Sequence, residues 1–422
     1  MFLYNLAIRI YSFLISFAAL FNTKAQLFVS GRKHTFQQLQ AFSASVKQPV
    51  IWFHCASLGE FEQGRPLIEK IKKEYPHYSI LLSFFSPSGY EIQKEYAFAD
   101  HVCYLPVDSP SNAKKFIAIS QPVLAIFIKY EFWLNYLHQL HQQGIPTLLV
   151  AGIFRPDQHF FKSYGSIFRT SLKNYKHLFL QNNESLQLVK SLGIKKCSVS
   201  GDTRFDRVYE LAQHPKMLPE IQKFTGNRIT IIAGSTWPRD GEVLLNTFRR
   251  LKSIYKNTCL VVAPHNVDKS TIKHLEGLLR EHKSTYNLFS DPSQNYAVAD
   301  VLIIDSIGIL SAVYQYGHIA YIGGGFDSGI HNILEALTYG LPVVFGPNHT
   351  KYDEALAAIK IGAGFSFQDE NQLKEIFMTL INNPVHLKEA KQKSLEYVAN
   401  NTGSAEKITD YLVAEKLLKK QC

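Results

Sequence analysis

The stretch from His318 to Pro347 constrains this chain more than any other. His318-Ile319-Ala320-Tyr321-Ile322 is a short apolar run of the kind that forms a buried strand. Gly323-Gly324-Gly325-Phe326-Asp327-Ser328-Gly329 follows, and glycines let a backbone turn sharply and approach a ligand closely. A helix is expected next, starting near His331-Asn332 with Asn332 as its N-cap and Glu335 in its first turn. Leu341-Pro342-Val343-Val344-Phe345-Gly346-Pro347 is a second strand. Strand, glycine loop, helix and strand make a βαβ unit, whose loop opens at the carboxyl end of the strand, where open α/β sheets bind ligands.

The chemistry of that loop has two readings. A helix N-terminus suits an anion such as phosphate, whereas Glu335 would repel phosphate and accept the two hydroxyls of a ribose. Asn332 and Glu335 are three residues apart and share a helix face. The plainer reading is that Glu335 complements the helix dipole and Asn332 only caps.

The rest of the chain repeats the alternation. Apolar runs begin near Val50, Tyr78, His101, Val123, Thr147, His177 and Cys197, and a second series begins at Ile229, Thr258 and Ala299, with polar helical segments between them. Such alternation predicts parallel, doubly wound sheets. The 422 residues, 46% of them hydrophobic, suffice for two substantial cores. Boundaries are expected at 1–24 for an N-terminal helix, 25–206 and 207–404 for two α/β domains, and 405–422 for a basic C-terminal helix. Neither repeats nor low-complexity segments are visible.

The formal net charge of +10 favours an anionic partner, but no block of like charge marks a nucleic-acid tail. Cys55, Cys103, Cys197, Cys259 and Cys422 are scattered and form no CxxC pair, which argues for a reducing compartment and against a zinc site. Residues 2–21 are rich in Phe, Leu, Ile and Tyr, with Arg9 the only charge and Lys24, Arg32 and Lys33 following. That pattern suits an anchor in or through a membrane interface; the alternative is a buried helix of the first domain.

Several strand ends carry candidate chemistry. Glu60 lies on a small-residue turn just past the strand at Val50, where it could act as a general base or merely face the helix dipole, with Glu62 as a competing carboxylate. Glu131 follows another strand end beside Trp133. Asp305-Ser306-Ile307-Gly308-Ile309-Leu310 enters a helix and is a second candidate anion site, or an ordinary helix capped by Asp305 or Ser306. Lys70, Lys72 and Lys73 could meet anionic lipid together with Arg32 and Lys33, or form a solvated helix face.

Taken together, these pieces resemble the 3-deoxy-D-manno-octulosonic acid (Kdo) transferases along nearly the whole chain. The matching segments are His54-Cys55-Ala56-Ser57-Leu58-Gly59-Glu60, Ser86-Pro87-Ser88-Gly89, Leu105-Pro106-Val107-Asp108, Glu131-Phe132-Trp133-Leu134-Asn135 and Gly201-Asp202-Thr203-Arg204-Phe205-Asp206, then Gly234-Ser235-Thr236, Ala263-Pro264-His265, Asp305 to Leu310, and the glycine loop through Glu335. The resemblance implies a GT-B glycosyltransferase with two Rossmann-like domains facing a cleft and an N-terminal membrane-associated helix. It implies CMP-Kdo as donor, a lipid A precursor as acceptor, and a place at the cytoplasmic face of the inner membrane. It makes Glu60 the base and gives Glu131 and Arg204 to the transition state. Pro264, His265, Ile307, Gly308, Ile309, Asn332, Ile333, Leu334 and Glu335 fall on the CMP-binding segments. No metal is expected, because CMP is a single-phosphate leaving group and no Asp-x-Asp motif is present. His265 stands where an arginine is common, Ile309 where a glutamate is usual, Arg204 where a lysine is usual, and Leu134 where a proline is usual. The competing readings are a UDP-sugar transferase or epimerase of similar fold, and a non-enzymatic membrane-attached nucleotide or lipid binder.

Overall fold

The computed structural model describes residues 1–129, 132–291, 298–327 and 329–420. It divides into two compact units, one of residues 1–207 with 401–422, the other of residues 208–400. The segment 405–422, expected to stand apart as a basic C-terminal helix, thus falls within the first unit. Its helix, Ser404–Ala414, lays Ile408 and Leu412 into that unit's core.

The first unit holds β1 (Val50–Cys55), β2 (Ser79–Phe84), β3 (His101–Tyr104), β4 (Leu124–Ile128), β5 (Thr147–Gly152), β6 (His177–Leu180) and β7 (Cys197–Val199). They form one parallel sheet in the order β3-β2-β1-β4-β5-β6-β7. β1 is buried along its whole length, as expected of a strand covered on both faces. Ile51, Phe53 and Cys55 enter one core layer with Leu67, Ile68 and Ile71 of the helix Leu58–Glu74, while Val50 and Trp52 face the opposite layer with Phe116, Phe127 and Tyr136.

The second unit holds β8 (Ile229–Thr236), β9 (Thr258–Pro264), β10 (Tyr286–Leu288), β11 (Val301–Ile303), β12 (Ile319–Ile322), β13 (Val343–Phe345) and β14 (Gly364–Ser366), in the parallel order β10-β11-β9-β8-β12-β13-β14. The apolar runs mark all but β10 and β14. Those two are short edge strands, Tyr286–Leu288 and Gly364–Ser366, in which Asn287, Gly364 and Ser366 leave no apolar run. In each sheet the strand order reverses beside the first strand, between β1 and β4 and between β8 and β12, and crevices at such points are where doubly wound sheets bind ligands.

The N-terminal helix is Phe2–Ala18, shorter than the expected 1–24; Asn22 then caps a second helix, Thr23–Gly31, by accepting from Ala25 N–H at 3.1 Å. No helix among the described residues is long and apolar enough to cross a membrane. One stripe of the first helix docks on the unit. The Tyr4 hydroxyl donates to Asp108 Oδ2 at 2.5 Å, Asn5 accepts from Asn135 Nδ2 at 3.0 Å, and the Tyr11 ring stacks on Phe85 at 6.4 Å. The other side is exposed and apolar: Phe2, Leu3, Phe13 and Phe17 are each at least 59% exposed.

Candidate functional site

In the first unit, β1 ends at Cys55, Ser57 adopts an extended conformation, and the helix begins at Leu58, which puts Glu60 in its first turn. The Ser57 hydroxyl donates to Glu60 Oε2. Glu60 is half-buried, so its carboxylate still reaches solvent while its direction is set. Glu62, one turn-step further, has its carboxyl raised by partial burial against the pull of Arg65, 3.8 Å away. The Thr203 hydroxyl donates to the Gln63 carbonyl of this same helix, so the segment leading into Arg204 runs alongside Glu60. Arg204 donates to Asp202 through Nε at 2.9 Å and Nη2 at 2.6 Å, an ion pair that fixes its guanidinium. Glu131 lies outside the described residues.

Across the β1/β4 reversal, the Trp133 indole N–H donates to Nε2 of the buried His54 at 3.0 Å, and His54 Nδ1 lies 3.1 Å from the Ser83 carbonyl. Two of the motifs meet nearby: Asp108 accepts from the backbone N–H groups of Asn135 and Tyr136, both at 3.1 Å, and so closes the amino end of the helix Leu134–Gln142.

Several cations expected at a lipid surface are committed elsewhere. Arg32 donates to three carbonyls, those of Leu105, Phe28 and Phe85, and lies 3.5 Å over the Phe28 ring; burial pulls its guanidinium down to about 10. Lys70 pairs with Glu74 and Glu406, and Lys72 with Asp100. Lys33 stays exposed.

In the second unit the glycine loop differs from expectation in two ways. The helix after it is a single turn, Leu334–Leu337, so His331 and Asn332 precede it; Asn332 Oδ1 accepts from Leu334 N–H at 3.1 Å and Asn332 Nδ2 donates to Glu335 Oε1 at 3.1 Å. The glycines also serve the protein's own packing. A Cβ on Gly323 would sit 2.7 Å from Thr236 Cα, and one on Gly325 would sit 2.6 Å from Gly346 Cα. The loop is therefore pressed against the ends of β8 and β13, and only glycine fits.

Asp240 holds this junction together. Wholly buried, it accepts from Trp237 N–H at 2.9 Å, Gly324 N–H at 2.8 Å and the Tyr321 hydroxyl at 2.7 Å. Burial raises its carboxyl and these bonds oppose the rise. Beside it lie three flat rings. The Trp237 indole N–H donates to His331 Nε2 at 2.9 Å, with the two rings nearly parallel at 11°. His265, from the end of β9, lies across both, 4.7 Å from Trp237 and 4.5 Å from His331. Sequence reasoning singled out His265 but missed Trp237, Asp240 and this use of His331. Its one available signal was the position of Trp237 at a strand end.

The segment Ile307-Gly308-Ile309 is on the same carboxyl edge, after β11. Gly308 has φ of +86° and nothing within 4 Å of where a Cβ would be, and Ile307 is 86% exposed, so this glycine does face open space. The helix that follows is again one turn, Leu310–Val313, capped by neither Asp305 nor Ser306; Asp305 instead accepts from Ser290. Both expected helix-terminus anion sites thus lack a helix long enough to supply a dipole. Pro264 ends β9, and His265 N–H donates to the Thr236 carbonyl at 2.9 Å, which ties the donor segments of β8 and β9.

Residues 32–207 match the family model described as 3-Deoxy-D-manno-octulosonic-acid transferase (kdotransferase). The 3-deoxy-D-manno-octulosonic acid transferase of Rickettsia felis is 28% identical over 363 residues, 85% of this chain and 77% of that one. That of Aquifex aeolicus is 28% identical over 350 residues, 82% of this chain and 90% of that one. Over most of its length this chain is similar to the Kdo transferases. It is a glycosyltransferase of GT-B fold, built from two parallel, Rossmann-like sheets. The UDP-GlcNAc 2-epimerase of Neisseria meningitidis shares that fold with a TM-score of 0.63 over 87% of this chain and 100% of that one, at 16% identity. So does a putative UDP-N-acetylglucosamine 2-epimerase of Listeria monocytogenes, also at 0.63 and covering 88% and 98% of the two chains, at 12% identity.

Proposed function

We propose that this Kdo transferase moves Kdo from CMP-Kdo to a lipid A precursor, lipid IVA, with inversion at the anomeric carbon and with Glu60 as general base. The observation that carries this reading is Glu60 itself: a half-buried carboxylate in a first helical turn, steadied by Ser57, beside the reversal point of a doubly wound sheet. Glu60 takes the proton of an acceptor hydroxyl, the hydroxyl oxygen bonds to the Kdo anomeric carbon, and the bond to CMP breaks. Arg204 and Glu131 act on the charge that develops there, and Asp202 sets the direction of Arg204. In the second unit, Pro264, His265, Ile307 to Ile309 and Asn332 to Glu335 take CMP, with Glu335 on the ribose. Because CMP leaves with one phosphate, the reaction needs no metal on electrostatic grounds.

The exposed apolar side of Phe2–Ala18 supports attachment to an anionic membrane surface at the cytoplasmic face of the inner membrane, with the helix lying in the interface. The test is transfer from CMP-Kdo onto tetraacylated lipid A precursor in EDTA, comparing wild type with Glu60→Gln. General-base assistance is worth ~10²–10⁴-fold, so the variant should lose that much turnover and keep its CMP affinity. Turnover within a few-fold of wild type would remove Glu60 from the role.

A further inference from the structure

The three rings at the β8/β12 reversal carry an assignment that none of the family relationships supplies. An indole N–H is a donor only, and the imidazole nitrogen that receives it must offer a lone pair. The Trp237 N–H reaches His331 Nε2 at 2.9 Å, with the two ring planes nearly parallel, 11° apart. Nε2 therefore carries no proton, and the ring proton sits on Nδ1. We propose that Trp237 is a positioning residue that fixes His331 as the neutral Nδ1–H tautomer, so that His331 presents a hydrogen-bond donor to the nucleotide phosphate.

Four further observations support it. First, among the described residues His331 makes no other side-chain hydrogen bond, and its Nδ1 is not sealed from solvent, so Nδ1 is open to a ligand. Second, His331 directly precedes Asn332, which is bonded to Glu335 at 3.1 Å, so a donor here belongs to the segment that also offers an acceptor for ribose hydroxyls. Third, the ring cannot swing away: His265 covers one face at 4.5 Å, and a Cβ on Gly324 would sit 3.1 Å from His331 Cδ2. Fourth, the charges around it do not favour a cation. Burial, and after it the neighbouring His265, draw the pKa of the ring down to about 4. Of the acids on adjoining segments, Asp240 is occupied by Trp237, Gly324 and Tyr321, Glu335 receives Asn332, and Asp327 lies on the glycine loop itself. A neutral donor recognises phosphate without the pH dependence that an imidazolium would bring. The phosphate half of this inference rests on the CMP-Kdo reading; the tautomer does not.

The test is ring-nitrogen NMR on the full chain carrying ¹⁵N-labelled histidine, with His331 assigned by its loss in His331→Gln. Wild type should show a protonated Nδ1 and a bare Nε2 for His331 from pH 7.5 down to about 5.5. Trp237→Phe keeps a flat apolar ring without the N–H, so His331 should then titrate nearer its ordinary range and populate Nε2–H. CMP affinity should fall ~2–10-fold in Trp237→Phe at pH 7.5, the worth of one hydrogen bond, and recover as pH falls and the imidazole becomes a cation. His331→Gln, which keeps an acceptor for Trp237 and a second donor, should retain CMP binding better than His331→Phe. A wild-type His331 with Nε2–H or a full charge at pH 7 would overturn the assignment. A correct tautomer in a chain that takes no CMP would instead sink the CMP-Kdo reading and leave the Trp237–His331 pair standing.

Discussion

Replacing Asp240 by alanine should cost the second unit about 3–5 kcal/mol. The figure comes from the three groups left behind. The Tyr321 hydroxyl is wholly buried and Gly324 N–H is buried with it, and each stranded donor in a dry site costs ~1–3 kcal/mol. Trp237 N–H opens a helix and is nearer to solvent, so its loss resembles that of a cap, ~1 kcal/mol. Against this stands relief from keeping a carboxylate in a buried site, which burial already disfavours. Unfolding free energies of ~5–15 kcal/mol make such a loss a large fraction of the whole. The assay is peptide-level hydrogen exchange over 319–327, where a loss of ~4 kcal/mol speeds globally limited exchange roughly a thousandfold. Asp240→Asn, which keeps one acceptor oxygen, should lose less. A cost below ~1 kcal/mol for the alanine variant would mean that water reaches these donors, and the reasoning from a dry junction would fail.

Two further outcomes can be checked. Phe13→Glu with Phe17→Glu should abolish sedimentation of the chain with anionic vesicles while leaving its melting temperature near wild type, because both side chains point away from the unit, 72% and 59% exposed; unchanged sedimentation would discard the interfacial helix. The pH dependence follows from His331, whose pKa falls from 6.5 to about 4 in the fold. A depressed folded pKa gives stability that is present above 6.5 and lost as pH falls towards 4, on the order of 1–2 kcal/mol once its partial exposure is allowed for. Urea midpoints of the second unit should therefore decline across that window in wild type and decline less in His331→Gln; parallel profiles would refute the shift.

The framework was legible because buried parallel strands announce themselves as apolar runs, and twelve of the fourteen strands do so here. The three-residue strands β10 and β14 were not, since they are held by neighbours rather than by a pattern of their own. At Asn332 the sequence offered a capping residue and a Glu three positions on, which reads as the start of a helix; the structure uses the same two side chains to bond each other ahead of a single turn. Arg32 read as a surface cation because nothing local shows that Leu105 and Phe85, distant in sequence, bring carbonyls to it. Asp240, Trp237 and the bond between Trp237 and His331 escaped notice for the same reason: Trp237 and His331 are 94 residues apart, and only the strand order makes them neighbours.

The docking of the N-terminal helix has a mechanical consequence. Its hydroxyl at Tyr4 grips Asp108, and Asp108 in turn grips Asn135 and Tyr136. Phe85, Asp108 and Asn135 follow β2, β3 and β4, all on the carboxyl edge that bears Glu60. An anchor on a loose tether lets an enzyme body swivel above whatever it is tied to. The N-terminal helix is instead bolted directly to the carboxyl edge of the sheet, so any surface that held the helix would also fix the bearing of that edge, and Tyr4→Phe would loosen the bolt without touching the surface.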